Sequence, residues 1–280
     1  MQPGLERFNF PVHPALAPFV HAVALEEVRV SGQEEQPPCF FPPTPLQCLL
    51  FYLGDPIRAR TGGSADRFED RGRCIVVGPQ VSRVDLQLPA WHRVLIVTFY
   101  PGGLYRLLGI PLQELFDDGF DAGLLLGPAV RQLTERLLQM PDNRVACAEV
   151  ERFLLESLGR LQQELPVDRG LHKLLQSQGL LSMDRLASLS CLSIRQLERT
   201  CRQRIGMSPK LFARITRFSH AYRLHETCPH FTWTHVAHAA GYYDQMHLIK
   251  DFKVFAGATP SMLSRMLQES PVKLQSLITV

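Results

Sequence analysis

The chain has 280 residues, 45% of them hydrophobic and 20% charged, and a formal net charge of +3, which is material for one large core or two ordinary ones, with two domains the expectation. No apolar run approaches the roughly eighteen residues that a bilayer span needs, and the opening MQPGLERFNFPVHP has no basic segment followed by an apolar one, so a soluble cytoplasmic protein without membrane attachment is expected. The seven cysteines are odd in number, widely spaced and free of any C-x-x-C pair, which argues against a zinc module and a disulfide framework and for reduced, mostly buried thiols.

Up to about residue 125, short apolar runs end in Gly or Pro: PLQCLLFYLG, RCIVVGP and HRVLIVTFYPGG read as buried strands separated by turns. The acidic pair Asp117 and Asp118 in LFDDGF reads as a turn. If the strands enclose a pocket, its lining is expected from Tyr52, Trp91, His92, Arg93 and Tyr100, with core packing as the competing role of each aromatic. From there the period becomes helical. GPAVRQLTERLLQM carries Val130, Leu133 and Leu137 on one stripe, and RVACAEVERFLLESLGRLQQEL carries Val150, Leu154, Leu158 and Leu161. LPVDRG, residues 165 to 170, reads as a linker, giving an N-terminal sensing or dimerisation domain over 1–165 and a C-terminal domain over 166–280, an α+β chain with an all-α end.

Charge divides at the same place. From Pro166 onward, 5 Lys and 10 Arg face 7 acidic residues, a net of +8; residues 1 to 165 hold 15 Arg against 20 acids, a net of −5, and no Lys. A basic module that meets a polyanion, tied to an acidic one that does not, is the expectation.

Within the basic part LERTCRQRIGMSP (197–209) has an echo in LIKDFKVFAGATP (248–260), 51 positions on: Leu, three residues, Cys or Phe, four residues, Gly, two residues, Pro. In the first copy Ser182 is placed to cap a helix carrying Leu186, Ala187 and Leu189, SCLS makes a turn, and Ser193 caps IRQLERTCRQRI. In the second, Thr232 or Thr234 precedes HVAHAA, Gly241 turns, and Asp244 caps QMHLIKDFKVFA; the turn is one residue longer. Each is a short helix, a tight turn and a second helix, the helix-turn-helix arrangement. Ala187 and Ala237 stand where the helices approach, Leu197 and Leu248 face the core, and Gly206–Pro209 and Gly257–Pro260 fit a C-cap followed by the next N1 position.

These residues resemble the DNA-binding domain of AraC/XylS-type transcription regulators, in which two helix-turn-helix units are joined by one long helix, here SPKLFARITRFSHAYRLHE, with GYYDQMHLIKDFKVFAGATPSMLSR matching the most recognisable stretch. The resemblance covers roughly 40% of the chain, and it departs from the family at Cys201, where an aromatic is usual, at Cys191 in place of the turn Gly, and at Lys250 in place of Arg. FYPGGLYRLLGIPLQEL resembles an uncharacterised regulator-type N-terminal domain. The resemblance implies a sequence-specific regulator with double-stranded DNA as partner; RNA polymerase and a small-molecule effector are further candidate partners, and the chain would act as a monomer or homodimer. The alternative from another class is an enzyme or small-molecule-binding protein tethered to DNA by its C-terminal module.

Base readout needs side chains on the N-terminal half of each second helix, away from its apolar stripe. Matched by position and by facing, these are Arg195, Glu198 and Arg199 in the first unit and Gln245, Met246, His247, Ile249 and Lys250 in the second. Arg suits guanine, Glu cytosine, Gln adenine, and the apolar members a thymine methyl. Ser193, Arg202, Arg204, Lys210, Arg214 and Lys253 are expected over phosphates, giving register and salt dependence. For each, a solvated helix face is the competing role. Six histidines fall between His220 and His247 without acidic or thiol partners at zinc spacing, and no catalytic or nucleotide-binding motif is present; no metal, no cofactor and no catalytic residue are expected.

Overall fold

The computed structural model describes residues 5–29, 38–62 and 67–269. Among the described residues ten strands come from the N-terminal part: β1 (Leu5–Phe10), β2 (Val20–Arg29), β3 (Cys39–Phe41), β4 (Gln47–Tyr52), β5 (Arg58–Thr61), β6 (Glu69–Asp70), β7 (Cys74–Val77), β8 (Val84–Gln87), β9 (Trp91–Phe99) and β10 (Gly119–Asp121). They form two antiparallel sheets, one in the order β1-β2-β9-β4-β7-β10 and one in the order β3-β8-β5-β6. The three apolar runs seen in the sequence are β4, β7 and β9, in the middle of the larger sheet; the others carry mixed residues and gave no run to see.

The larger sheet has two dry faces. Residues of one parity, among them Leu25, Leu49, Leu95 and Val97, pack against α1 (Gly103–Leu108), α2 (Ala122–Leu126), α3 (Pro128–Leu138) and α4 (Asn143–Glu156). Residues of the other parity, including Val28, Tyr52, Ile75, Val94 and Ile96, face the smaller sheet, as the two-residue period of a strand requires. The stripe expected to continue to Leu161 stops early: α4 passes into a 3-10 turn over Ser157–Arg160, and Leu161 is exposed.

The C-terminal part is helical: α5 (Pro166–Gln176), α6 (Met183–Ser190), α7 (Ile194–Ile205), α8 (Pro209–Thr227), α9 (Trp233–Ala239), α10 (Gln245–Ala256) and α11 (Pro260–Glu269). The expected linker 165–170 is instead the first turn and a half of α5. Pro166 sits at N1, where its missing N–H costs nothing, and the Asp168 carboxylate caps the turn by accepting from the Leu165 N–H at 2.8 Å. Val167, Leu171, Leu174 and Leu175 of α5 join the core built by α6 to α11. Phe40 and Leu46, from the strand domain, belong to that same cluster, so the two domains share packed surface.

Candidate nucleic-acid interface and effector cavity

The first unit is assembled by local capping. Ser182 accepts from the Arg185 N–H, and Cys191 closes α6 in the left-handed region at φ 54°. Ser193 and Gln196 form a reciprocal capping box on α7: Ser193 Oγ accepts from the Gln196 N–H, and Gln196 Oε1 accepts from the Ser193 N–H at 2.9 Å. Leu197, Cys201, Arg204 and Ile205 form the buried side of α7. Arg195, Glu198, Arg199 and Arg202 are all exposed, and at 100° per residue they share an arc of about 100° turned away from that side by about 120°.

The second unit repeats the plan. Thr232 caps α9 and Asp244 caps α10, accepting from the His247 N–H at 2.8 Å; that hydrogen bond is the leading cause of a carboxylate pKa below its ordinary value. The residues 51 positions after the first arc are Met246, Ile249, Lys250 and Lys253; they fall on the matching arc of α10, Ile249 half-buried and the others exposed. Gln245 and His247 lie beside it rather than on it. Gln245 Oε1 accepts from Thr234 Oγ1 at 2.8 Å, and the His247 ring bonds the Asp244 cap at 2.8 Å, so both help to join the turn to its helices.

Helix α8 packs against both units. Near its N-terminal end Arg214 pairs with Asp251 of α10 at 2.6 Å and lies over the Phe255 ring, and Tyr242 bonds the other Asp251 oxygen at 3.3 Å. Arg217 donates to the Gly179 carbonyl, in the turn after α5, at 3.0 Å. Phe218 packs edge-on against Phe252 at 4.8 Å and close to Phe255.

One expected phosphate contact is corrected by these bonds. Arg204 is 5% exposed: it pairs with Asp168 at 2.8 Å, donates to the Gln163 carbonyl and stacks over Tyr105 of α1. Arg214 pairs with Asp251 while its side chain stays 40% exposed. Both read as free surface cations in sequence because their partners lie 36 and 37 positions away. Ser193 is spent in its capping box, which leaves Arg202, Lys210 and Lys253, beside the paired Arg214, as the exposed cations of the expected set.

The C-terminal end of α7 is also where the strand domain touches the first helix-turn-helix unit. Gln203 donates to the Tyr105 hydroxyl at 3.2 Å. Gly206, at φ 74°, lies so close to the 3-10 turn Leu112–Glu114 that a Cβ there would sit 2.6 Å from the Leu112 carbonyl oxygen and 2.5 Å from Pro79.

Between the two sheets lies a cavity with apolar walls, including Leu50, Ile96, Val84 and Leu86. Of the five expected lining residues, Tyr52 and His92 do line it, their rings 6.2 Å apart. Trp91 and Arg93 do not, because adjacent strand residues point to opposite faces, and Tyr100 does not because it lies just past the end of β9. The Trp91 indole N–H donates to Glu27 at 2.8 Å, Arg93 binds Met140, Pro141 and Asn143 where α3 meets α4, and Tyr100 is stacked between His21 and His172. Burial pulls His92 down to about 4, so its ring is neutral. The sequence reading missed Glu26, fully buried on β2 and lining the cavity; its one sequence signal is a charge at the parity of Ala24 and Val28 in VALEEV.

A family model described as a helix-turn-helix domain matches residues 186–266, and a second, described as a domain of unknown function (DUF6597), matches residues 9–121. The comparison with curated proteins gave no match. Among solved structures the chain is similar to the DNA-binding domain of AdpA in complex with a target DNA, at 22% identity over 38% of this chain and 95% of that one, with a TM-score of 0.35. It is also similar to ToxT from Vibrio cholerae, at 9% identity over 95% of this chain and 99% of that one, TM-score 0.47, and to ToxT bound to an unsaturated fatty acid, at 10% identity over 86% and 93%, TM-score 0.45.

Proposed function

We propose that the chain is a DNA-binding transcription regulator with an AraC-type helix-turn-helix domain at its C-terminus, a reading supported by the helix-turn-helix family model over residues 186–266, and that α7 and α10 read two successive major-groove segments on one face of the duplex. The observation that carries this is the matched pair of outward arcs, Arg195, Glu198, Arg199 and Arg202 on one helix and Met246, Ile249, Lys250 and Lys253 on the other, on units clamped to one linker helix by Arg214 and Arg217. Arg199 and Lys250 hold matching places on the two arcs and take base edges; Arg202, Lys210 and Lys253 take phosphates.

In this proposal the strand domain governs the reader through one loop. Val77 and Gln80 line the cavity, Pro79 abuts Gly206 at the end of α7, and Val81 packs on the C-terminal core. Asp117, at φ 61°, grips the same loop by accepting from the Val81 and Ser82 N–H groups at 2.8 Å and from the Ser82 hydroxyl at 2.7 Å. An effector in the cavity presses on this loop and so biases the placing of α7, which is a coupling between two distinct sites. The proposal places the protein in the cytoplasm, alone or as a homodimer, answering to RNA polymerase and without catalytic chemistry of its own. Among the described residues no helix is long and apolar enough to cross a membrane.

Hydroxyl-radical footprinting of the full chain on its operator tests the reading. Each bound protomer is expected to protect two short blocks about 10 base pairs apart. A single short block per protomer rejects the two-reader arrangement.

A further inference from the structure

We propose that the cavity between the two sheets receives a small apolar molecule bearing one positive charge, a protonated or quaternary amine, with the Glu26 carboxylate as its counter-ion. This deepens the effector reading above and rests on the cavity being the effector site.

The geometry starts from a buried carboxyl group that makes no hydrogen bond. Glu26 is 0% exposed, and neither carboxyl oxygen makes a hydrogen bond. Its cross-strand neighbour Arg7, on the edge strand, places Nε 3.8 Å from Oε1, near enough to attract and too far to hydrogen-bond. A buried polar group left in this condition costs free energy, and an orphaned one marks a place that something else completes.

Around Glu26 the sheet sets out what the rest of the ligand meets. Glu26 pairs with Val94 of β9, and Val94 with Tyr52 of β4, so Glu26 and Tyr52 stand in one row on the cavity face, two strands or about 10 Å apart. His92, two residues from Val94, stands beside that row. An ammonium held by Glu26 therefore has the Tyr52 ring across from it, a surface that attracts cations, and an apolar tail runs between Leu50, Ile96, Val84 and Leu86. An anion finds no comparable partner. Arg71, which also lines the cavity and acts on the Tyr52 hydroxyl, is already bound to Asp118 at 3.2 Å and to the Gly119 carbonyl.

Protonation follows from the same setting. Burial pushes Glu26 up to about 8, against a smaller opposing pull from Arg7. The charged or titratable groups around it are Arg7 on β1 and, lining the same cavity, neutral His92 on β9, Tyr52 and Cys48 on β4, whose hydroxyl and thiol burial raises well above their ordinary values, and the Arg71–Asp118 pair. The empty cavity at pH 7 is therefore lined by a neutral acid, and an arriving cation ionises it and expels its proton. The folded value lies above the ordinary 4.5, so the stability linked to Glu26 is fully present below that pH and is lost as pH rises through about 8.

The test uses the full chain and three probes of one size: n-hexylammonium, n-hexanol and n-hexanoate, followed by titration calorimetry at pH 7 in two buffers of different ionisation enthalpy. Hexylammonium is expected to bind about tenfold or more tighter than hexanol, with release of close to one proton per amine bound, and hexanoate to bind most weakly. Glu26→Gln, of nearly the same shape, is expected to fold, to bind amine and alcohol alike, to release no proton, and to lose the fall in melting temperature between pH 5 and 8. Equal affinity for amine and alcohol, preference for hexanoate, unchanged amine binding in Glu26→Gln, or binding of none of the three overturns the proposal. Operator affinity without probe is measured in parallel on both proteins. Its absence in the unaltered chain sinks the regulator reading and leaves the amine result to stand or fall separately.

Discussion

Offset by 51 positions, α7 and α10 bury Leu197 with Leu248, Cys201 with Phe252 and Ile205 with Ala256, yet one matched pair is Arg204 against Phe255. Phe255 completes an apolar core, whereas Arg204 reaches out of its unit to Asp168 and Tyr105, where the strand domain lies. The outward arcs differ as sharply. The first is Arg195, Glu198, Arg199 and Arg202, which suits guanine and cytosine edges; the second is Met246, Ile249, Lys250 and Lys253, whose apolar half suits thymine methyls. Two copies of one scaffold thus carry different outward faces. In the proposed function the first unit reads with charge and is held by the strand domain, while the second reads with shape and is held through α8.

The widest break in this comparison is at the clasp. Arg204→Ala leaves Asp168 buried without its partner and is expected to cost about 3 to 5 kcal/mol, read as a lower urea midpoint of the full chain. Phe255→Ala at the matching place is expected to cost a similar ~3 to 5 kcal/mol as a cavity. The two separate in a second measurement. The Arg204 variant should uncouple operator affinity from any ligand of the strand domain, and the Phe255 variant should lower affinity while keeping that coupling. If both variants keep it, α7 is not the element through which the domains communicate.

Next in size are the readers. Arg199→Ala and Lys250→Ala occupy equivalent positions, and each is expected to cost roughly 1 to 3 kcal/mol and to relax preference at one base pair. The relaxed positions should lie in different halves of the operator, as selection of binding sites from random DNA would report. A uniform loss across sequences from either variant reassigns that residue to phosphate. Arg202→Ala and Lys253→Ala are the control: each should weaken all sequences alike and lower the slope of log K against log salt by about one.

The second unit was more legible in sequence than the first, and the helical part more than the strands. Caps, left-handed glycines and N1 prolines are local chemistry, so Ser182, Ser193, Thr232, Asp244, Gly206 and Gly257 stand where the spacing put them. What needed three dimensions was lost. Arg204 and Arg214 look like any surface Arg until Asp168 and Asp251 are brought beside them. In β9 a run of apolar and aromatic residues was read as one lining, although Trp91 and Arg93 share the face opposite His92. β2 was missed altogether, because buried Glu26 beside partly exposed Glu27 disguises a central strand as a charged one.

The smallest effect lies in the turns, where the comparison is between one residue and its counterpart. Between α6 and α9 the offset is 50 rather than 51, which sets Cys191 opposite Gly241, and both are left-handed, at φ 54° and 73°. A side chain in that region costs roughly 1 to 2 kcal/mol that glycine avoids. Glycine also frees the unfolded chain by about 0.4 to 1 kcal/mol. The two oppose each other, so Cys191→Gly should raise the melting temperature only slightly, by an amount equivalent to about 0.5 kcal/mol. The reverse exchange is not symmetric. A Cβ at Gly241 would meet Leu180 Cδ2 at 2.4 Å, and although Leu180 is half exposed and able to swing aside, Gly241→Ala adds that displacement to the strain. The loss in the second unit should therefore exceed the gain in the first, and thermal melts of the two single variants decide it. A gain from Cys191→Gly as large as the loss from Gly241→Ala would mean that the two turns are equally open, and that the second unit's longer turn does not bring it closer to its neighbour.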